Sequence, residues 1–461
     1  MKKQKHQLEM RLIKGLSVLL TTVPFLICWF GYYAQRMYVP FYAKGHLLVI
    51  ALFMALFTAL ARTYDAFKIS VSRISEIVYS QALAALVTDC IMFVIIWLLT
   101  RHFPALWPGL LALLVQLLLA TVWAVAAHKW YYFVFPPRKS ALVYGLRRGI
   151  DELVREYGME KKFDIQIICP VSECMENMAV LEGMETVFIS GVQSHDRNQI
   201  LKYCMDQDIP VYVVPRIGDV ILSGAERVHM FHLPMLHIRR QRIHPEHALL
   251  KRLFDIALSL TALLIFSPVM LLTALAIKLQ DGGPVFYKQT RLTKDGATFQ
   301  VMKFRSMRMD AEKDGVARLS TGDNDDRITP VGRLIRKVRI DELPQLFNIL
   351  GGSMSVVGPR PERPEIAAQY EQELPEFRLR LQVKAGLTGY AQVYGKYNTT
   401  PYDKLQMDLM YIANPSIIED LKIILATVKI LFVPESTEGI AEGQTTAAAA
   451  REEKELVGAG K

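Results

Sequence analysis

The chain has 461 residues, enough for two or three domains, and its hydrophobic fraction of 51% with only 21% charged residues excludes an ordinary soluble protein. A mean hydropathy of +0.20 points instead to a membrane protein with a substantial aqueous part. The net charge of +9 suits anionic lipid head groups or phosphorylated substrates; with no arginine-rich arm or aromatic RNA-binding signature, no nucleic-acid partner is expected. The five cysteines (Cys28, Cys90, Cys169, Cys174 and Cys204) are scattered, which fits a reducing compartment and no structural metal.

Four apolar stretches, over 15–33, 46–61, 77–99 and 106–127, fill the first third. All but the second approach the roughly 20 residues that cross a bilayer. The first lacks a clear cleavage site and more spans follow it, so it does not read as a signal peptide. Lys2, Lys3, Lys5, Arg11 and Lys14 precede it; Arg62, Lys68 and Arg73 lie between the second and third stretches; Lys129, Arg138 and Lys139 follow the fourth. The other two loops are poorer in basic residues, so both ends of a four-helix transmembrane bundle over 1–130 are expected in the cytoplasm. Asp89, inside the third span, is functional, paired within the bundle or placed near an interface.

Over 138–245 short β-type runs ("SALVYG", "FDIQIIC", "TVFISG", "PVYVVP") alternate with helical segments, which predicts a Rossmann-like module with a parallel sheet. Its first turn, "GLRRG", has only part of the dinucleotide-binding glycine pattern. Arg147 and Arg148 occupy space a pyrophosphate needs, so no nicotinamide cofactor is expected.

The next apolar core, over 253–277, is long enough to span the membrane. Basic groups flank both ends: Arg239, Arg240, Arg242, Lys251 and Arg252 before it, and Lys278, Lys288, Arg291 and Lys294 after it. Near its middle, Ser267-Pro268 removes a backbone hydrogen bond and bends the helix, with the serine hydroxyl available to freed backbone groups. A re-entrant helix that enters and leaves on the cytoplasmic face satisfies both facts. The tail over 435–461 has little apolar material and is expected to be disordered.

Between these lies a basic region. "PVFYKQTRLTKDGATFQVMKFRSM" predicts two strands joined at Asp295-Gly296, the second ending near Lys303 and Arg305. "GRLIRKVRIDELPQLFNIL" sets Arg333, Arg336, Lys337 and Arg339 before Asp341 and Glu342. "SMSVVGPRPERP" supplies a proline-stiffened loop with Arg360 and Arg363. Asp341 and Glu342 precede a helical apolar pattern, so a plain N-cap is the first reading of the pair; three basic segments around it point equally to an anionic substrate at a membrane surface.

The ordered set "KRLFDIALSL…SP", "GPVFYKQTR", "KFRSM", "DELPQLFNILGGSMSVVGPRPE" and "LTGYAQV" resembles the bacterial sugar transferase family, the monotopic phosphoglycosyl transferases, over about 251–434. The bundle and Rossmann-like module are similar to those of the large members that initiate exopolysaccharide and capsule synthesis. The resemblance implies a membrane protein of α plus α/β class whose catalytic domain, 249–434, faces the cytoplasm of a bacterial inner membrane. It implies Mg²⁺-dependent transfer of a hexose-1-phosphate from a UDP-sugar to undecaprenyl phosphate, with release of UMP. By the same resemblance Asp341 is the nucleophile and tentative metal ligand, and Glu342 assists. Arg360 and Arg363 meet substrate phosphates, Lys251 and Arg252 meet the lipid phosphate, and Ser267-Pro268 marks the helix break; from the basic segments around the pair, Lys303, Arg305 and Arg333 are further candidate substrate-binding residues. A helix N-terminus at Asp341 is expected to lower its pKa. Membrane lipids, a second copy of the chain and other polysaccharide assembly proteins are the expected further partners. Two positions depart from the family pattern: Ala385 stands where many members have proline, and Thr293 where glycine is common. Two other readings compete. One is a glycosyltransferase that uses Asp323 to Asp326 ("DNDD") to bind metal and releases UDP; the other is a non-catalytic membrane scaffold.

Overall fold

The computed structural model describes residues 2–145, 150–156, 158–240, 245–309, 327–395 and 400–430, and divides into two compact units, Met1–Val214 and Pro215–Lys461. The turn residues Leu146 to Gly149, Arg242, the "DNDD" tract and the tail expected to be disordered lie outside the described residues.

The first unit opens with helices α1 (Lys2–Cys28), α2 (Ala43–Thr63), α3 (Ile74–Thr100) and α4 (Trp107–Val134). With α1 continuing through π and 3₁₀ turns to Arg36, each is long and apolar enough to cross a membrane. Their packed faces carry aromatic rings, Phe25 stacking on Phe53 at 4.2 Å, while leucines such as Leu98, Leu114 and Leu118 point outward. That outward-facing apolar surface, together with a fifth such helix in the second unit, makes this a membrane protein. Asp89 has its partner inside the bundle: the Gln116 amide donates to it at 3.5 Å and to the Thr21 carbonyl at 3.2 Å.

The same unit continues as β1 (Arg138–Tyr144), α5 (Ile150–Glu156), β2 (Phe163–Pro170), α6 (Val171–Glu176), β3 (Thr186–Ser190), α7 (Ser194–Asp206) and β4 (Val211–Val213). The four strands form one parallel sheet in the order β2-β1-β3-β4, so the order in which strands are added reverses between β1 and β3. At that point Gly145 is required by close approach, because a Cβ there would meet the Gly191 carbonyl oxygen at 2.7 Å.

The second unit begins with α8 (Ile217–Ser223) and the hairpin β5 (Glu226–Met230) and β6 (Leu233–His237), which the sequence pattern groups with the Rossmann-like module. Next comes α9 (Pro245–Asp281), a 37-residue helix longer at both ends than the apolar core predicts. It stays helical through Pro268, and the Ser267 hydroxyl donates to the Leu264 carbonyl at 2.9 Å. Leu264 is the residue whose carbonyl an N–H at position 268 would have taken.

Strands β7 (Phe286–Leu292) and β8 (Thr298–Phe304) form the expected hairpin, with Asp295 and Gly296 in left-handed conformations at its turn. Then follow α10 (Pro330–Lys337), a 3₁₀ turn (Ile340–Glu342), α11 (Gln345–Leu350), β9 (Ser355–Val357), α12 (Pro364–Glu373), β10 (Gly386–Thr388), α13 (Tyr390–Tyr394), α14 (Pro401–Ala413) and α15 (Ile417–Ile430). β9 and β10 pair in parallel. Ile349, Met354, Phe377, Leu405 and Ile423 are among the buried residues that close one core around that pair.

Candidate active site

Asp341 is not a helix cap. Arg339 turns the chain left-handed at φ 58°, the 3₁₀ turn follows, and Pro344 takes the position before α11. The carboxylate therefore sits in a separate turn ahead of a six-residue helix, without the dipole that a cap position would give it.

The turn brings the carboxylate pair against the end of β8 and the loop over 358–363. Lys303 Nζ lies 2.8 Å from Glu342 Oε1, and Arg360 donates to the same oxygen at 3.1 Å. Among the described residues, Asp341 makes no hydrogen bond or ion pair of its own, although only 9% of it is exposed. The electrostatics divide accordingly. Burial, then the adjacent Glu342 charge, push Asp341 up to about 6, against the pull of Lys303, Arg336 and Arg339. The expectation of a lowered Asp341 pKa is thus reversed. Burial opposes the charge on Glu342 too, but Lys303, Arg360 and Arg339 overcome it and hold that carboxyl well below the usual carboxylate range.

The loop that presents Arg360 is fixed along its backbone. Prolines at 359, 361 and 364 cannot donate, so the loop is held by its carbonyls. Pro359 O accepts from Gly386 N at 2.9 Å, Arg360 O from Arg380 at 3.0 Å, Pro361 O from Arg291 at 3.1 Å, and Glu362 O from Leu292 N at 2.9 Å. Gly358 permits the approach of β10, since a Cβ there would meet the Lys384 carbonyl at 2.3 Å. Arg380 is itself buried in a two-bond pair with Asp408, at 2.9 and 2.7 Å, and lies over the Phe377 ring at 4.8 Å.

Of the residues singled out from sequence, the structure brings together Asp341, Glu342, Lys303 and Arg360. Arg363 stands at the N-cap position of α12, at the loop's end. Arg333 is exposed on α10, and Arg305 forms an ion pair with Asp281 at the end of α9. Lys251 and Arg252 are engaged elsewhere. Lys251 lies 2.6 Å from Asp420, which also accepts from Tyr411 at 2.7 Å, and Arg252 closes the end of α11 through the Ile349 and Leu350 carbonyls at 2.6 and 2.7 Å. A basic head beside a lipid pattern reads as exposed, and only the fold reveals Asp420 and the carbonyls opposite it.

Sequence reasoning missed Arg291, Arg380 and Asp408. Asp408 carried a usable signal: with Leu405, Leu409 and Ile412 it occupies one buried helical stripe, where a lone carboxylate needs a buried cation. The two departures from the family pattern turn out to be partners. The Thr293 hydroxyl accepts from the Ala385 N–H at 3.2 Å and donates to the Ser353 carbonyl at 3.0 Å.

Mg²⁺ typically binds through one or two carboxylates together with substrate phosphates, rather than a protein cage. An unpartnered Asp341 beside Glu342 fits that mode, and among the described residues no larger group of His, Cys, Asp or Glu is placed to hold a metal.

Comparison with known proteins agrees with the motif-level resemblance. The model of the bacterial sugar transferase family matches residues 246–434. A UDP-N-acetylgalactosamine-undecaprenyl-phosphate N-acetylgalactosaminephosphotransferase of Aeromonas hydrophila is 39% identical over 234 residues, 50% of this chain and 54% of that one. A UDP-glucose:undecaprenyl-phosphate glucose-1-phosphate transferase of Caulobacter vibrioides is 42% identical over 191 residues, 40% of this chain and 71% of its own. The exopolysaccharide production protein PSS of Rhizobium leguminosarum bv. phaseoli is 45% identical over 199 residues, 41% of this chain and 96% of its own length. The match thus spans about half of the Aeromonas relative and nearly all of the Rhizobium one. On these grounds the chain belongs to the bacterial sugar transferase family.

Proposed function

We propose that this chain transfers a hexose-1-phosphate from a UDP-sugar to undecaprenyl phosphate, releasing UMP and making the first lipid-linked intermediate of an exopolysaccharide or capsule. The observation that carries the reading is the division within one acidic pair: Glu342 is fixed by two cations, while Asp341 is buried, unpartnered and more basic than an ordinary aspartate. Near neutral pH most of Asp341 is ionised, and among the described residues no hydrogen bond or ion pair to a protein group must break before it attacks. Its carboxylate attacks the sugar-bearing phosphorus, and the bond from that phosphorus to the bridging oxygen breaks as UMP leaves. An oxygen of undecaprenyl phosphate then attacks the same phosphorus and returns the aspartate to its free state. Lys303 and Arg360 keep Glu342 ionised and add positive charge where phosphate charge develops. Asp341 and Glu342 would hold Mg²⁺ together with the substrate phosphates, and the ion would supply further neutralisation of that charge. The names of the relatives support both substrates.

We place the chain in the bacterial inner membrane, with the region over 249–434 in the cytoplasm and α9 re-entrant. What supports this is where the two ends of α9 attach. Arg252 reaches Ile349, next to Asn348; Asn348 accepts from Met302; and Arg305, three residues on, pairs with Asp281. A straight helix would separate residues 252 and 281 by about 43 Å, enough to put them on opposite sides of a bilayer. Attachment of both ends to neighbouring elements is what a helix entering and leaving by one face needs. Cysteines introduced singly after Lys278 should stay protected from an impermeant reagent in intact cells. Labelling there without lysis contradicts the re-entrant assignment.

The reaction is tested with purified full-length protein, Mg²⁺, undecaprenyl phosphate and a panel of UDP-glucose, UDP-galactose and their N-acetyl counterparts. UMP should appear in step with lipid-linked sugar for at least one donor. UDP as the nucleotide product contradicts the proposal.

A further inference from the structure

Around the 358–363 loop there are more cations than direct partners for them. Arg360 reaches Glu342; Arg380 holds Asp408 and approaches Glu362 at 3.6 Å; Arg291 approaches the same Glu362 at 4.0 Å. Three carboxylates thus serve three guanidinium groups. Lys404 is a fourth cation in this corner. It lies on α14 one turn before Asp408, so its side chain rises from the same helix face as the Asp408–Arg380 pair. Arg380 in turn holds the Arg360 carbonyl, which sets Lys404 beside the root of the arginine that reaches the acidic pair. Among the described residues, the Lys404 ammonium makes no hydrogen bond or ion pair. Burial, opposed by Glu362 and Asp408 and reinforced by Arg380 and Arg360, lowers its pKa. An ammonium partly withdrawn from water without a direct partner is costly until an anion meets it.

We propose that Lys404 is a further substrate-binding residue and contacts the diphosphate of the nucleotide sugar, with Arg360 between it and the carboxylate pair. The inference rests on the reading of the chain as a UDP-sugar-dependent transferase and adds a residue that no sequence motif singled out. A cation meant only to brace α14 would face a carboxylate directly, as Arg380 faces Asp408 and Lys251 faces Asp420.

The test uses UDP, which presents the diphosphate but carries no sugar to transfer. It is titrated calorimetrically, with Mg²⁺, into the full-length chain in nanodiscs, as wild type, Lys404→Met and Lys404→Arg. The methionine variant should bind UDP about 10- to 100-fold more weakly, the range for one lost charge-assisted bond, and the arginine variant should recover most of the affinity. Removing a partly buried charge that has no direct partner should leave the melting temperature unchanged or raised. Wild-type affinity in Lys404→Met overturns the inference, as does a wild-type chain that binds no UDP. A lowered melting temperature without rescue of binding by arginine also overturns it, by making Lys404 structural. Nucleotide release by the wild type is read separately: UDP binding through Lys404 alongside UDP as the product would contradict the reaction while upholding the residue.

Discussion

The loop over 358–363 and the turn over 340–342 meet at the Arg360–Glu342 ion pair and differ in how much of each is held. The loop has four successive carbonyls fixed by Gly386, Arg380, Arg291 and Leu292. In the turn, Glu342 is doubly engaged, while among the described residues the Asp341 carboxylate makes no hydrogen bond or ion pair. The contrast teaches how a site combines order with reactivity: a rigid frame carries the cations, and one carboxylate is left unbonded. Preorganised charge costs nothing to arrange during the reaction, whereas a nucleophile already in an ion pair would have to leave it first.

The largest effect is expected from removing the free group. Asp341→Asn keeps size and polarity, so the fold should persist while UMP release falls by about three orders of magnitude or more. A thermal melt paired with the UMP assay separates the two. Near-normal release by a folded variant would return Asp341 to a structural role.

Next comes release of the frame. Asp408→Ala leaves Arg380 buried without its carboxylate, a loss of about 3–5 kcal/mol for a broken buried pair. Its melting transition should drop well below that of the wild type, and limited proteolysis should open the 358–363 loop first. A variant with an unshifted transition would show that the loop does not depend on this pair.

A smaller effect lies in the pH dependence. Because burial and Glu342 raise Asp341 to about 6, its ionised form is lost as pH falls through that value, well above the range near 3.9 of an ordinary aspartate. Single-turnover UMP release should therefore decline through about pH 6. Glu342→Gln removes the neighbouring negative charge and should move this acid limb lower, even though its overall rate is impaired. An acid limb unchanged in that variant would assign it to another group.

The smallest effect concerns Thr293 and Ala385. Thr293→Val leaves the buried Ala385 N–H without an acceptor, at a cost of about 1–3 kcal/mol. Adding Ala385→Pro removes that N–H and should recover part of the loss. In the wild-type background the same proline should be neutral or harmful. Additive melting shifts across the four proteins would show the two positions to be independent.

Sequence periodicity and motif order made much of this legible. Apolar length disclosed the long helices, alternation disclosed the parallel sheet, and Asp295-Gly296 disclosed the hairpin turn. At the candidate site, the acidic pair, Lys303 and Arg360 lay in recognisable stretches. What stayed hidden depends on contacts distant in sequence. Lys251 and Asp420 are 169 residues apart, and Arg380 meets Asp408 across 28. A basic residue looks the same in a string whether it awaits a phosphate or is already paired. The left-handed Arg339 was equally invisible: it sets Asp341 in a turn instead of a cap, and so reverses the expected direction of its pKa.

The central claim is that the unbonded member of the pair takes up the sugar phosphate. Full-length protein incubated with Mg²⁺ and an accepted UDP-sugar, without lipid, is read by intact mass and by peptide mapping. The account predicts a gain of one sugar phosphate on Asp341, UMP release of about one equivalent, and loss of the adduct when undecaprenyl phosphate is added. An unmodified protein that still forms lipid-linked sugar once lipid is supplied, or an adduct mapped to any other residue, would contradict it.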